Sequence, residues 1–172
     1  YVETQIQRDV QDLARIHALD ILPRLLGVAA ANTGRLINIE ELSSPFQVHR
    51  STIQDYTTLL EQIFLLERLP AWHSNRLTRL VKRPKLFLGD TGLAAALLRV
   101  TSDDLKGARG LWGQLLETFV YQELRRQASW RENRPNFFHY RDRDAYEVDV
   151  VVEAGPSALA GIEVKAAASV RD

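Results

Sequence analysis

Apolar residues recur at three- and four-residue intervals through most of the chain and at two-residue intervals near its end, a change from helical to strand spacing. Val2, Ile6, Val10, Leu13 and Ile16 or His17 place one stripe on a helix over the first seventeen residues or so. Ile21 to Asn32 is apolar around most of its surface and predicts a central helix, closed at Thr33-Gly34 by a glycine able to take the left-handed conformation. Asn38 and Glu41 read as a capping box opening a short helix that ends near Leu42, and Ser43-Ser44-Pro45 as the turn after it. A longer helix is predicted from about Val48 to Leu65, with Ile53, Leu59, Leu60 and Ile63 inward and Arg50, Ser51, Thr52 and Gln54 exposed at its start. Two strands, Phe64 to Leu69 and Lys85 to Leu88, follow it, joined by a basic stretch. Short helix, turn, longer helix and two strands predict a winged helix.

Asp90 caps a further helix over Thr91 to Arg99, and the polar run Thr101-Ser102-Asp103-Asp104 with Gly107 and Gly110 reads as a connection. The boundary is expected near Lys106, giving domains of residues 1–105 and 106–172. Beyond it a helix from Leu111 to about Ala128 turns Leu115, Leu116, Phe119, Val120 and Leu124 inward. Strands are predicted at Phe137 to Arg141, Glu147 to Glu153 and Gly161 to Ala166, separated by Asp142-Arg143-Asp144 and Ala154-Gly155-Pro156-Ser157. The expected class is α+β: a helical winged-helix domain, then a helix leading into a three-stranded sheet.

Composition narrows this picture without redirecting it. The chain has 172 residues, 45% of them apolar and 26% charged, the balance of a folded globular protein. Its apolar stretches, such as Ile21 to Ala31 and Gly92 to Leu98, fall short of the ~20 residues a membrane span requires, and no membrane partner is expected. The absence of cysteine rules out disulfides and thiolate zinc sites and suits a cytoplasmic location. The chain lacks methionine and begins Tyr-Val-Glu-Thr, so it reads as a fragment. Twenty-two basic and twenty-two acidic residues cancel, leaving any nucleic-acid reading to local clustering. Such a cluster exists: Arg76, Arg79, Lys82, Arg83 and Lys85 are uninterrupted by any acid. With Arg50, Ser51, Thr52 and Gln54 at a groove, these cations would neutralise DNA phosphates. The same surfaces would equally serve packing on a nucleotide domain or a protein partner. His17, His49, His73 and His139 lack metal-ligand spacing and read as structural or surface residues.

Chemistry is concentrated in the last two strands. Glu147 and Asp149 share one face, because residues two apart on a strand do, while Val148, Val150 and Val152 face a core. Glu163 and Lys165 share the face opposite Ile162 and Val164, and a hairpin would bring them beside Asp149. Carboxylates of this kind hold Mg2+ or Mn2+ against a phosphodiester, and a lysine positions the attacking water. Asp149 and Glu163 are the expected metal ligands, Lys165 the positioning cation, Glu117 on the preceding helix a fourth candidate, and Glu147 a supporting or ion-paired residue. A solvated polar hairpin face accounts for the same residues without catalysis.

Asp149, a spacing of fourteen, and then Glu163-Val164-Lys165 resemble the PD-(D/E)xK, restriction-endonuclease-like nucleases. The helix carrying Glu117 followed by three strands is similar to the first part of that superfamily's core, and the chain ends before the helix and strand that would complete it. More widely, Arg8-Asp9-Val10, Leu80 to Phe87, Asp90-Thr91-Gly92-Leu93 and Glu147-Val148-Asp149 resemble a prokaryotic family in which such a region follows an AAA-type, archaeal-ATPase-like P-loop domain. The resemblance implies a DNA-associated part of an ATPase with a Mg2+- or Mn2+-dependent deoxyribonuclease, or else a non-catalytic DNA- or protein-interaction module of it. No G-x-x-x-x-G-K-[ST] motif is present, so ATP would be bound only by an upstream domain of the same protein.

Overall fold

A computed structural model describes residues 20–144, 146–155 and 157–166; the helix expected over the first seventeen residues lies outside them. Helix α1 (Ile21–Ala31) buries Leu22, Leu25, Leu26, Ala29 and Ala30 on one side, as its apolar composition requires. Thr33 and Gly34 end it, and Gly34 sits at φ 75°, where a side chain would be strained. Strand β1 (Arg35–Leu36) leads to helix α2 (Ile39–Ser43), opened by Asn38, whose side chain accepts from the Glu41 amide at 2.8 Å. The capping box is not reciprocal, since the Glu41 carboxylate accepts from the Asn38 side-chain amide at 3.2 Å.

Helix α3 (Arg50–Gln62) turns Ile53, Thr57, Leu59 and Leu60 inward. It stops short of the predicted Leu65 because Phe64 takes a left-handed conformation, φ 61°, and lets the Leu65 amide donate to the Leu60 carbonyl. Phe64 is thereby thrown into solvent and does not begin a strand. Strand β2 (Leu66–Leu69) and strand β3 (Lys85–Leu88) pair antiparallel, with β1 on the other side of β3, so β3 is central in the order β1-β3-β2. Helix, strand, two helices and two strands in this order form a winged helix. Between β2 and β3 the basic stretch is not a simple loop but holds helix α4 (Arg76–Val81), capped by the Asn75 side chain on the Leu77 amide.

Asp90 caps helix α5 (Thr91–Leu98) as expected, its carboxylate accepting from the Leu93 amide at 2.8 Å. The polar connection contains a further helix, α6 (Ser102–Gly107), opened by a capping box between Thr101 and Asp104. Helix α7 (Arg109–Ser129) follows, then strands β4 (Asn136–Arg141), β5 (Glu147–Gly155) and β6 (Ala158–Ile162) in an antiparallel sheet of order β4-β5-β6. The last strand lies three to four residues before its predicted position. Glu163 to Ala166 continue past the ladder without strand structure.

Strand β3 joins two apolar clusters, because its alternate residues are buried on opposite faces. Leu86 and Leu88 belong to the large core under α1, α3 and α5, whereas Phe87 packs with Leu69, Tyr121 and Val150 under the second sheet. Its neighbour two residues back, Lys85, shares the Phe87 face and is 2% exposed. Gly89 then allows a close chain crossing: a side chain there would meet the Phe64 carbonyl at 2.2 Å. No helix among the described residues is long and apolar enough to cross a membrane.

Candidate functional site

Helix α7 packs on the winged helix through Leu115, buried in the large core as expected, and through polar residues that its apolar spacing does not predict. The buried residues include Thr118 and Gln122, whereas Phe119, predicted inward, is 49% exposed. The Thr118 and Thr33 hydroxyls lie 2.8 Å apart, and Gln122 donates to the Leu88 carbonyl at 2.9 Å. Burying such groups is tolerable because each meets a partner. Those two bonds fix the rotation of α7 and direct Glu117, one residue before Thr118, toward β3.

Three carboxylates converge there on one ammonium. Lys85 Nζ lies 2.8 Å from Glu117 Oε1, 2.9 Å from Glu147 Oε1 and 3.1 Å from Asp149 Oδ1. Glu147 and Asp149 reach the same point from β5 because they occupy one face of that strand. Lys85 donates hydrogen bonds to Glu117 and Asp149, and Glu147 completes the ring as an ion pair. Burial lowers the Lys85 pKa, but the charges of Glu117 and then Glu147 and Asp149 outweigh it and push the ammonium up to about 12. Burial also pushes Glu117 up, to about 7, against the pull of Lys85 and with the like charges of Asp149 and Glu147. The two directions are compatible. Three carboxylates around one cation carry surplus negative charge, and Glu117, with the most enclosed side chain of the three, is where a proton relieves it.

The expected metal ligands stand differently. Asp149 spends one oxygen on Lys85 and the other on the Val164 amide, at 2.9 Å. Taking that amide draws the segment after β6 alongside β5 by a side chain instead of a backbone ladder, which is why the strand ends at Ile162. Glu163 is paired with Lys165, and both side chains are 54% exposed. Asp149 and Glu163 therefore do not present a common pair of free oxygens. The described residues contain no group of three His, Asp or Glu arranged to hold a metal ion. As they stand, these side chains do not fit Mg2+ or Mn2+, and the point where Glu117, Glu147 and Asp149 converge holds the Lys85 ammonium.

The residues expected at phosphates separate into two groups. Arg50, Gln54, Lys82 and Arg83 line one groove of about 260 Å³ between α3 and the base of the wing, together with Arg68 and no carboxylate. Ser51 is exposed on the same helix, Thr52 is half-buried, and Arg76 is exposed on α4. Arg79 and Lys85 are not available to phosphates. Arg79 makes two bonds to Glu153 of β5, at 2.8 and 2.9 Å, with its guanidinium over the Trp72 and Phe138 rings. Lys85 is enclosed by its carboxylates.

The wing itself is docked on the second sheet. At His139 the β4–β5 register shifts, and the backbone released there bonds outward: the Trp72 amide donates to the His139 carbonyl at 2.6 Å, and the His139 amide to the Pro70 carbonyl at 2.9 Å. The His139 ring meets the Arg83 carbonyl at 3.0 Å through Nε2, while Nδ1 is buried without a partner. Burial, with Lys85 nearby, lowers its pKa to about 4.

This arrangement falls in a chain whose residues 1–104 match a domain of unknown function, DUF8612. The chain belongs to the DUF8612 family. In this member the family match ends within α6, and residues 112–172, which supply Glu117, Glu147 and Asp149, match a second domain of unknown function, DUF4143. Lys85 thus comes from the DUF8612 part, and the carboxylates around it come from the other. Curated relatives are the uncharacterized proteins Mb2031c of Mycobacterium bovis and Rv2008c of Mycobacterium tuberculosis, each 26% identical over 165 residues. The alignment covers 96% of this chain but 36% of each relative. No solved structure matches the chain.

Tyr121, Thr118 and Lys85 are the site-building residues that sequence reasoning missed or misplaced. Tyr121 donates to Glu67 at 2.7 Å and stacks on Phe87, fixing α7 over β3. A signal for Lys85 was present in Lys-Leu-Phe-Leu: a lysine two residues before a phenylalanine in a strand buried on both faces shares the phenylalanine's surroundings.

Proposed function

We propose that this chain is a non-catalytic interaction module that binds the phosphate backbone of DNA within a protein carrying an AAA-type ATPase domain. The observation that carries the reading is the groove between α3 and the wing base, lined by Arg50, Arg68, Lys82 and Arg83 and by no carboxylate. Arg50 and Arg68 are partly neutralised by Glu40 and Glu61, while Lys82 and Arg83 carry no ion pair among the described residues. In a winged helix this is where a helix and a wing flank a duplex, and cations there contribute affinity without reading sequence. The chain's motifs support the ATPase link, and the relatives extend well beyond the matched region, leaving room for a nucleotide domain.

A hydrolytic reading keeps one observation in its favour, the meeting of Glu117, Glu147 and Asp149 at a point. Against it, the cation at that point is already supplied. Incubating the full-length protein with plasmid and duplex DNA in Mn2+ separates the two. Retardation of DNA without cleavage is the expected result; cleavage abolished by Asp149→Ala would replace this reading with the hydrolytic one.

A further inference from the structure

We infer that Lys85 is a built-in counter-ion occupying the position of a divalent cation, so that the Glu117, Glu147 and Asp149 cluster is closed to metal for as long as that lysine remains in it. The inference stands apart from the DNA reading, and its readout is metal binding, not cleavage.

Three features carry it. First, the donors are of the kind a hard cation takes, carboxylate oxygens from a helix and a strand aimed at one point, though spaced around an ammonium and not arranged to hold a metal ion. The N–O separations of 2.8 to 3.1 Å suit an ammonium, and a contraction of roughly 0.7 to 1 Å would suit an ion of the size of Mg2+. Second, the ammonium sits at that point out of solvent, its side chain being 3% exposed. Burying a lysine so deeply is costly unless several charges receive it, and three do. Third, the cation comes from β3 of the winged helix while the carboxylates come from α7 and β5, so the pair also ties the two parts of the chain together. Losing the ammonium leaves the three acids facing one another with, among the described residues, only Arg141 beside Glu147, at 3.8 Å, and that repulsion is what a divalent ion would relieve.

The experiment uses the full-length protein as wild type, Lys85→Met and Lys85→Met/Glu147→Gln, the double variant carrying one acid fewer in case the single one folds poorly. Each is prepared in EDTA, exchanged into buffer, and titrated with Mn2+ while the free-ion paramagnetic resonance signal and the thermal midpoint are followed. Only Mn2+ lost on adding Asp149→Asn is counted, which removes sites elsewhere. The expected result is no Asp149-dependent Mn2+ in the wild type, and binding at least roughly tenfold tighter in a Lys85 variant. Its midpoint, lowered in EDTA, should recover with Mn2+. Asp149-dependent binding as tight in the wild type as in the variants would overturn the inference. So would a failure of both Lys85 variants to bind Mn2+ or to regain stability with it.

Discussion

Two buried titratable groups on either side of Lys85 respond to acid in opposite directions. His139 has its pKa lowered to about 4 by burial, so between about 6.5 and 4 the unfolded chain takes a proton that the folded chain refuses, and stability falls as pH drops. Glu117, raised to about 7 by burial, binds a proton in the folded chain that the unfolded chain releases down to about 4.5, so its contribution grows as pH drops from 7. In the wild type the two contributions offset each other. Replacing His139 with Gln removes only the first. The stability difference, wild type minus His139→Gln, measured by urea unfolding, should therefore fall from pH 7 to pH 4 by up to ~1.4 kcal/mol per unit. A difference independent of pH would show that His139 is not held neutral. Nothing local in the sequence betrays this residue, since its burial comes from a register shift in β4 and from the wing that the shift admits.

At the scale of elements, features set by a few neighbouring residues were legible and features set by distant ones were not. Helix α1, the caps at Asn38 and Asp90, and the winged-helix order follow from apolar spacing and from side chains bonding amides three residues on. Helix α4 was hidden because its apolar residues, Leu77 and Leu80, are exposed and leave no core-facing signature between the arginines. The displacement of β6 has a different origin. Ile162, Glu163, Val164 and Lys165 alternate as a strand should, but the Asp149 carboxylate takes the Val164 amide and ends the ladder. The wing is held by Arg79, whose side chain is 12% exposed and doubly bonded to Glu153. Arg79→Ala should cost about 2 kcal/mol in denaturant unfolding, leaving the Glu153 carboxylate, on a side chain 16% exposed, without its partner. Hydrogen exchange should rise at Trp72 and across α4 before it rises in α1. A loss confined to global stability, with no selective exchange at the wing, would show that the wing is held by other contacts.

For the whole molecule, the two parts meet through polar contacts as much as apolar ones: the Thr33 and Thr118 hydroxyls, Gln122 on Leu88, the wing on β4, and Lys85 among the carboxylates. Sequence spacing gave the carboxylates of β5 their shared face, but it could not show that the cation completing their site lies on the central strand of the other part, 64 residues from Asp149. The same docking takes Arg79 and Lys85 away from any phosphate and leaves Lys82 and Arg83 at the groove. Phosphate binding by that groove is the central claim, and the salt dependence of affinity tests it most directly. Duplex DNA binding by the full-length protein, measured by fluorescence anisotropy over a range of KCl, should weaken steeply with salt. Lys82→Ala/Arg83→Ala should reduce the slope of log affinity against log salt by about 2, roughly one per lost phosphate contact. An unchanged slope in the double variant, or affinity that does not respond to salt, would contradict it.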